Sequence, residues 1–152
     1  IIEAETVCPG KYIVIITGEL SAVNASVEAA KTVHSMHLID SFVLGNPADE
    51  IFPAIYGASK VEIVNSLGII ETYDAAAIIV AADQAAKTAE VSLIEIRLAR
   101  GMCGKSYLLI TGEVAAVEAA IARAQKAVEP RGMYLDSSVI ARPDKKLIDQ
   151  IL

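Results

Sequence analysis

The chain has 152 residues, a net charge of −6, a hydrophobic content of 54% and no tryptophan. That length suits one ordinary domain or two small ones. The acidic balance without a basic patch argues against nucleic acid as a partner, and no apolar run approaches the ~20 residues that span a bilayer.

The longest apolar stretch, Ala75 to Ala82, is stopped by Asp83-Gln84. No basic region leads into a signal-type apolar stretch at the start. Cys8 and Cys103 form no CxxC pair and no Cys/His cluster. They therefore make neither a disulfide framework nor a metal site that one chain closes by itself. A reduced, cytosolic setting is the natural reading. Much of the apolar content is alanine, and that surplus suggests extensive burial between subunits.

In chain order, Ile1 to Thr6 reads as the end of a strand entering a tight loop, Cys8-Pro9-Gly10-Lys11. Tyr12 to Thr17 is β-branched and aromatic, a buried strand. Ser21 is placed as the N-cap of a helix over residues 22 to 34, with Val23, Val27, Ala30 and Val33 at helical spacing. Leu38 to Leu44 reads as a strand ended by Gly45-Asn46-Pro47, and Ala48 to Tyr56 as a short helix. Gly57 to Glu62 is the one linker-like stretch, dividing the chain into units at 1–60 and 61–152.

The second unit opens with a strand over Ser66 to Thr72. Asp74 caps an alanine-rich helix running to about Lys87. Val91 to Leu98 is a strand, turned by Met102-Cys103-Gly104-Lys105 into another over Tyr107 to Thr111. A second helix carries Val117, Ile121, Ala124 and Val128 on one face and stops at Pro130-Arg131-Gly132. Met133 to Ala141 is the last strand, and Arg142-Pro143-Asp144 starts a terminal helix to Leu152. The order β-α-β-β-α-β is the split-βαβ, ferredoxin-like arrangement, an α+β fold with helices on one face of an antiparallel sheet.

The first unit repeats the second from its second strand onward. Thr17-Gly18-Glu19 matches Thr111-Gly112-Glu113, and Val23 matches Val117. After a two-residue insertion in the second copy, Asp40-Ser41 matches Asp136-Ser137 and Pro47 matches Pro143. On this alignment Cys103 falls on Pro9, not on Cys8. Nothing in the first copy corresponds to Leu67 through about Ile94, so its opening strand and helix are missing. An apolar face left open at ~25 cal/mol per Å² is costly, and roughly 30 residues are expected ahead of Ile1 or from another segment.

The second unit resembles the bacterial microcompartment (BMC) shell domain. Leu67-Gly68-Ile69-Ile70-Glu71-Thr72, Ala86-Lys87, Gly104-Lys105, Thr111 to Val117 and Val139-Ile140-Ala141-Arg142-Pro143 carry the likeness. Two copies in one chain are similar to the tandem-domain shell proteins, which form trimers imitating the single-domain hexamer. Thr6-Val7-Cys8-Pro9-Gly10-Lys11 resembles the T-type branch found in propanediol-utilisation compartments.

That resemblance implies a structural, non-enzymatic homotrimer in a cytoplasmic microcompartment shell, with other shell proteins and encapsulated redox enzymes as partners. It implies that Pro9, Gly10, Lys11, Met102, Cys103, Gly104 and Lys105 line a central pore. It also implies that three Cys8 thiolates bind one 4Fe–4S cluster, with a non-protein ligand on the fourth iron, for electron transfer across the shell. Four cysteine thiolates are the usual complement, and closed cyclic symmetry supplies three from one residue. Lys87 and Arg142 fall where the family packs neighbouring tiles edge to edge; the first copy has Asn46 in place of Arg142.

Cys103 reads as a tolerated small residue, with a second metal ring as the alternative. Proline fixes one turn angle of the Cys8 loop and Gly10 relaxes the other. His34 and His37 read as solvated helix-end residues. Glu19, Glu71 and Glu113 are single carboxylates without an acid/base partner, and neither a phosphate-binding glycine loop nor a nucleophile elbow is present. Two competing functions remain at this point. One is a shell pore that conducts or binds a metabolite without a cluster; the other is a soluble ligand-sensing regulator, since ferredoxin-like repeats serve many roles.

Overall fold

The computed structural model describes residues 1–61 and 65–151. Glu62 of the expected linker and Leu152 of the expected terminal helix lie outside them. The strands are β1 (Glu3–Cys8), β2 (Lys11–Ile15), β3 (Ser66–Thr72), β4 (Val91–Arg97), β5 (Ser106–Gly112) and β6 (Tyr134–Ala141). The helices are α1 (Leu20–Val33), α2 (Ile51–Ile55), α3 (Ala75–Thr88), α4 (Val114–Val128) and α5 (Lys145–Ile151), with a 3-10 turn at Glu129–Arg131 after α4.

In the second unit the sheet order is β4-β5-β3-β6, all neighbours antiparallel. This is the ferredoxin-like order, with β3 between β5 and β6. Alternation along β3 sends Gly68, Ile70 and Thr72 towards the helices and Leu67, Ile69 and Glu71 to the other face. On the helix side Ile70, Leu108 and Ile110 pack against Ala77, Ile78, Ala81 and Ala85 of α3 and Val117, Ala120, Ile121 and Val128 of α4. Alanine along α3 lets the helices approach each other and the sheet. On the opposite face Leu67, Ile94 and Leu109 gather a smaller cluster to which Ile151 of α5 adds.

Local chemistry sets the ends of these elements. Asp74 accepts a hydrogen bond from Ala77 N–H at 2.6 Å, satisfying one orphan donor of α3. Burial pushes the Asp74 carboxyl above the usual carboxylate range, against the lowering effect of that bond. Gly132, at φ 69°, closes the turn that ends α4.

The first unit is smaller. β1 and β2 form an antiparallel two-stranded ribbon, and no described element corresponds to β3 or α3. Four expectations are corrected here. The strand expected to be buried over Tyr12 to Thr17 is β2, which ends at Ile15, buries no residue and leaves Tyr12 and Val14 exposed. Leu38 to Leu44 forms no strand. Among the described residues its counterpart β6 pairs with β3 alone, and the first unit offers no such described central strand for this β-prone sequence to pair with. Ser21 is inside α1, which starts at Leu20 behind Glu19 and has no side-chain cap. The expected helix from Ala48 to Tyr56 contracts to Ile51–Ile55.

The same missing neighbours explain why α1 buries none of its residues, whereas α4 buries five. Val23 and Val27, the counterparts of Val117 and Ile121, line an apolar groove of about 980 Å³ together with Ile13, Ile15 and Leu44.

Candidate functional site

The Cys8 loop is a two-residue hairpin turn, Cys8 pairing with Lys11 across Pro9-Gly10. Gly10 has φ 77°, a left-handed value at the second central position. Proline followed by such a glycine is the type II combination. The second loop is longer: between the ends of β4 and β5 it runs from Leu98 to Lys105. Ala99, Gly101, Cys103 and Gly104 all have positive φ there, 57°, 73°, 56° and 95°. Arg100 N–H donates to Leu98 O, and Ser106 Oγ accepts from Ala99 N–H at 3.0 Å. At φ 56° Cys103 occupies a conformation closed to proline. Cys103 and Pro9 correspond in sequence but differ in backbone.

The fold brings the two loops side by side within one chain. Gly101 N–H donates to Val7 O at 3.2 Å. The Lys11 side chain lies over Gly104, where a Cβ would stand 2.8 Å from Lys11 Cδ. Arg100 completes the joint, with Nη2 at 2.6 Å from Glu3 and Nε at 2.5 Å from Glu5. Hydrogen bonds to Glu5 and then Glu3 hold the Arg100 guanidinium above its usual pKa. The Glu3 side chain is only 8% exposed, and its Oε2 has no hydrogen-bond partner. Burial, reinforced by the Glu3 charge, raises the neighbouring Tyr56 phenol.

Cys8 is half-buried and Cys103 exposed, and both thiols are free. Among the described residues no three His, Cys, Asp or Glu side chains gather as a metal site. The donor set of one chain is therefore a thiol at a hairpin tip. A thiolate-ligated cluster fits this chemistry only if copies of the tip converge.

The two residues expected at tile edges, Lys87 and Arg142, lie away from the two loops. Lys87 reaches Asp83 at 2.6 Å and the carbonyl of Asn46 at 2.5 Å, so it seals a joint between α3 and the first unit. Asp83 is 1% exposed and also accepts from Ala48 N–H at 3.0 Å. Arg142 is exposed with φ 51°, and its N–H donates to Asn65 O at 3.1 Å. Asn46, the residue matched to Arg142, supplies the carbonyl that Lys87 caps.

Arg100, Asp83 and Arg131 are joint residues that sequence reasoning did not single out. Asp83 and Lys87 stand four apart on one helix, a spacing that signals an ion pair. Arg100 meets Glu3 and Glu5, and Arg131 meets Asp40, across the length of the chain; no local signal announces either.

The BMC domain family matches over residues 1–47 and 66–143, a span that takes in both loops and both units. The bacterial microcompartment shell protein PduT of Citrobacter freundii is 34% identical over 149 residues, covering 98% of this chain and 81% of that protein. A crystal structure of a microcompartment protein from Desulfitobacterium hafniense DCB is 45% identical. It superposes with a TM-score of 0.87 and covers 97% of this chain and 82% of that one.

Proposed function

The chain belongs to the BMC-domain family of microcompartment shell proteins, and from that premise we propose that three copies form a pseudohexameric ring with an iron–sulfur cluster at its centre. The structural role in the shell follows from family membership, which leaves the soluble-regulator reading without support. The trimer, its pore and the cluster are the further steps. Its location is then the shell in the cytoplasm, and no described helix is long and apolar enough to cross a membrane.

One observation carries the cluster reading. Each chain presents a free thiol at the tip of a tight hairpin, with the second loop docked beside it. A threefold axis at that tip gathers three Cys8 thiolates from three chains. Symmetry supplies what one chain lacks, as a closed ring requires. A 4Fe–4S cluster there has a non-protein ligand on its fourth iron and, when bound, supplies one-electron chemistry across the shell. Pro9 and Gly10 keep the tip narrow, and Lys11 and Lys105 place positive charge near the opening.

The edges of the ring meet other shell proteins, with Arg142 exposed for that contact and Lys87 shared with the joint inside the chain. The protein turns over no substrate in this reading; redox enzymes inside the compartment would exchange electrons with the cluster. Anaerobic reconstitution of the wild type and Cys8→Ser tests it. Iron, sulfide and visible absorbance are expected in the wild type and lost in the variant. Equal values in both would sink the cluster, leaving a metabolite pore as the function of the opening.

A further inference from the structure

Two equivalent aspartates meet different fates within one chain. Asp40-Ser41 and Asp136-Ser137 correspond in the repeat, and each aspartate accepts its serine's N–H, at 2.7 and 2.8 Å. Asp40 is then gripped by Arg131, which donates from Nη2 to both carboxylate oxygens. Arg131 comes from the turn after α4, so the second unit supplies the cation for the first unit's aspartate. Asp136 is exposed and, among the described residues, pairs with no cation. Its position is worse than neutral, because Glu71 stands directly opposite it on β3, also exposed. Like charges facing each other across a ladder are destabilising.

We infer that Asp136 binds the turn His34–His37 of a neighbouring copy of this chain. The inference rests on the trimer proposed above. In such a ring the contact between units inside a chain recurs, rotated by one unit, between chains. The aspartate of the second unit then faces the segment after α1 in the next subunit, just as Asp40 faces the turn after α4. That segment is His34-Ser35-Met36-His37, all exposed. It has the same single-turn form as the turn that bears Arg131. His37 N–H donates to His34 O at 2.9 Å, as Gly132 N–H donates to Glu129 O at 2.9 Å. Two imidazoles therefore stand where the intrachain joint has a guanidinium.

The other joint shows the same logic of substitution. Where β1 carries Glu3 and Glu5 and borrows Arg100 from the second unit, β4 carries Glu95 and Arg97 in the matching ladder positions. Glu95 pairs with its own Arg97 at 2.5 Å and needs no cation from a neighbour. Asp136 has no such local partner. The charges around the proposed contact are Glu71, and beyond it Tyr107, Glu95 and Arg97, on the sheet side. On the α1 side they are Lys31 with Glu28, and Asp40 with Arg131. An imidazole carrying a positive charge pairs more strongly with a carboxylate than a neutral one does.

The test is the trimerisation constant of the full chain, by sedimentation across a concentration series at pH 6 and pH 8. Asp136→Asn keeps the acceptor for Ser137 and the fold. Asp136→Lys and the double variant His34→Gln/His37→Gln remove the charge pair. Three contacts per ring make the expected weakening about tenfold or more at pH 6, and less at pH 8. Asp136→Lys combined with His37→Glu should restore part of it. Trimers of unchanged strength in Asp136→Lys and the histidine variant overturn the contact. A wild type that never trimerises overturns the ring and the contact together.

Discussion

Arg100→Met removes the cation shared by Glu3 and Glu5 and should loosen the joint between the two loops. The Glu5 leg is exposed on both sides, 46% and 41%, and such pairs contribute at most ~1 kcal/mol. The Glu3 leg weighs more, since Glu3 is 8% exposed. Stripping the partner from a fully buried charge costs ~3–5 kcal/mol. Water reaches this pair from the arginine side, which roughly halves that figure, so the expected loss is about 2 kcal/mol. At a urea slope of about 2 kcal/mol per M, the midpoint should fall by roughly 1 M. Glu3→Gln/Arg100→Met should recover at least ~1 kcal/mol, because the buried carboxylate is then gone. Urea unfolding followed by circular dichroism measures the wild type, Arg100→Met, Glu3→Gln and the double variant. A loss below about 0.5 kcal/mol for Arg100→Met, or strict additivity in the double variant, would refute the buried-pair reasoning.

Gly68→Ala places a Cβ 2.6 Å from Val117 Cγ1 and 2.8 Å from Ile110 Cγ1. It should destabilise by ~1–3 kcal/mol in the same unfolding assay, since φ there is ordinary and the penalty is overpacking. Asp83→Ala strands Ala48 N–H and Lys87 at the joint between units, and a loss of ~2–4 kcal/mol is expected by thermal or urea unfolding. Tyr107 donates to Glu95 at 2.9 Å, and burial, aided by that bond, pushes its phenol up to about 12. The neutral phenol is favoured by the fold, so its contribution is complete below the unfolded value of about 10 and is lost as pH rises towards 12. Stability measured from pH 9 upwards should therefore fall more steeply in the wild type than in Tyr107→Phe. Parallel curves would count against the assignment.

Most of the second unit is legible in the sequence because each element there carries its own signal and also finds its partner. The strand expected over Ser66–Thr72 has those bounds in the structure. The cap at Asp74, the apolar stripe of α4 and the glycine that ends it are likewise local features whose meaning tertiary packing leaves unchanged. In the first unit the same kinds of signal mislead. Leu38 to Leu44 has strand chemistry, but a ladder needs a second strand. Val33 lies on the expected apolar stripe of α1 and is 73% exposed, because no described helix packs there.

The amino-acid sequence by itself determined the repeat, the ferredoxin-like order of the second unit, the two loops and the family. Each is written in short-range pattern: period two in strands, period 3.6 in helices, Pro-Gly or Gly at turns. Only the tertiary structure decided that the Cys8 hairpin is clamped by Arg100. It also decided that Lys87 seals a joint through Asp83, and that Asp40 has a guanidinium where Asp136 has none. Those are contacts between units, made by single side chains far apart in the chain. Charge and hydrogen bonding act through space, and nothing periodic in the residues between them marks where they meet.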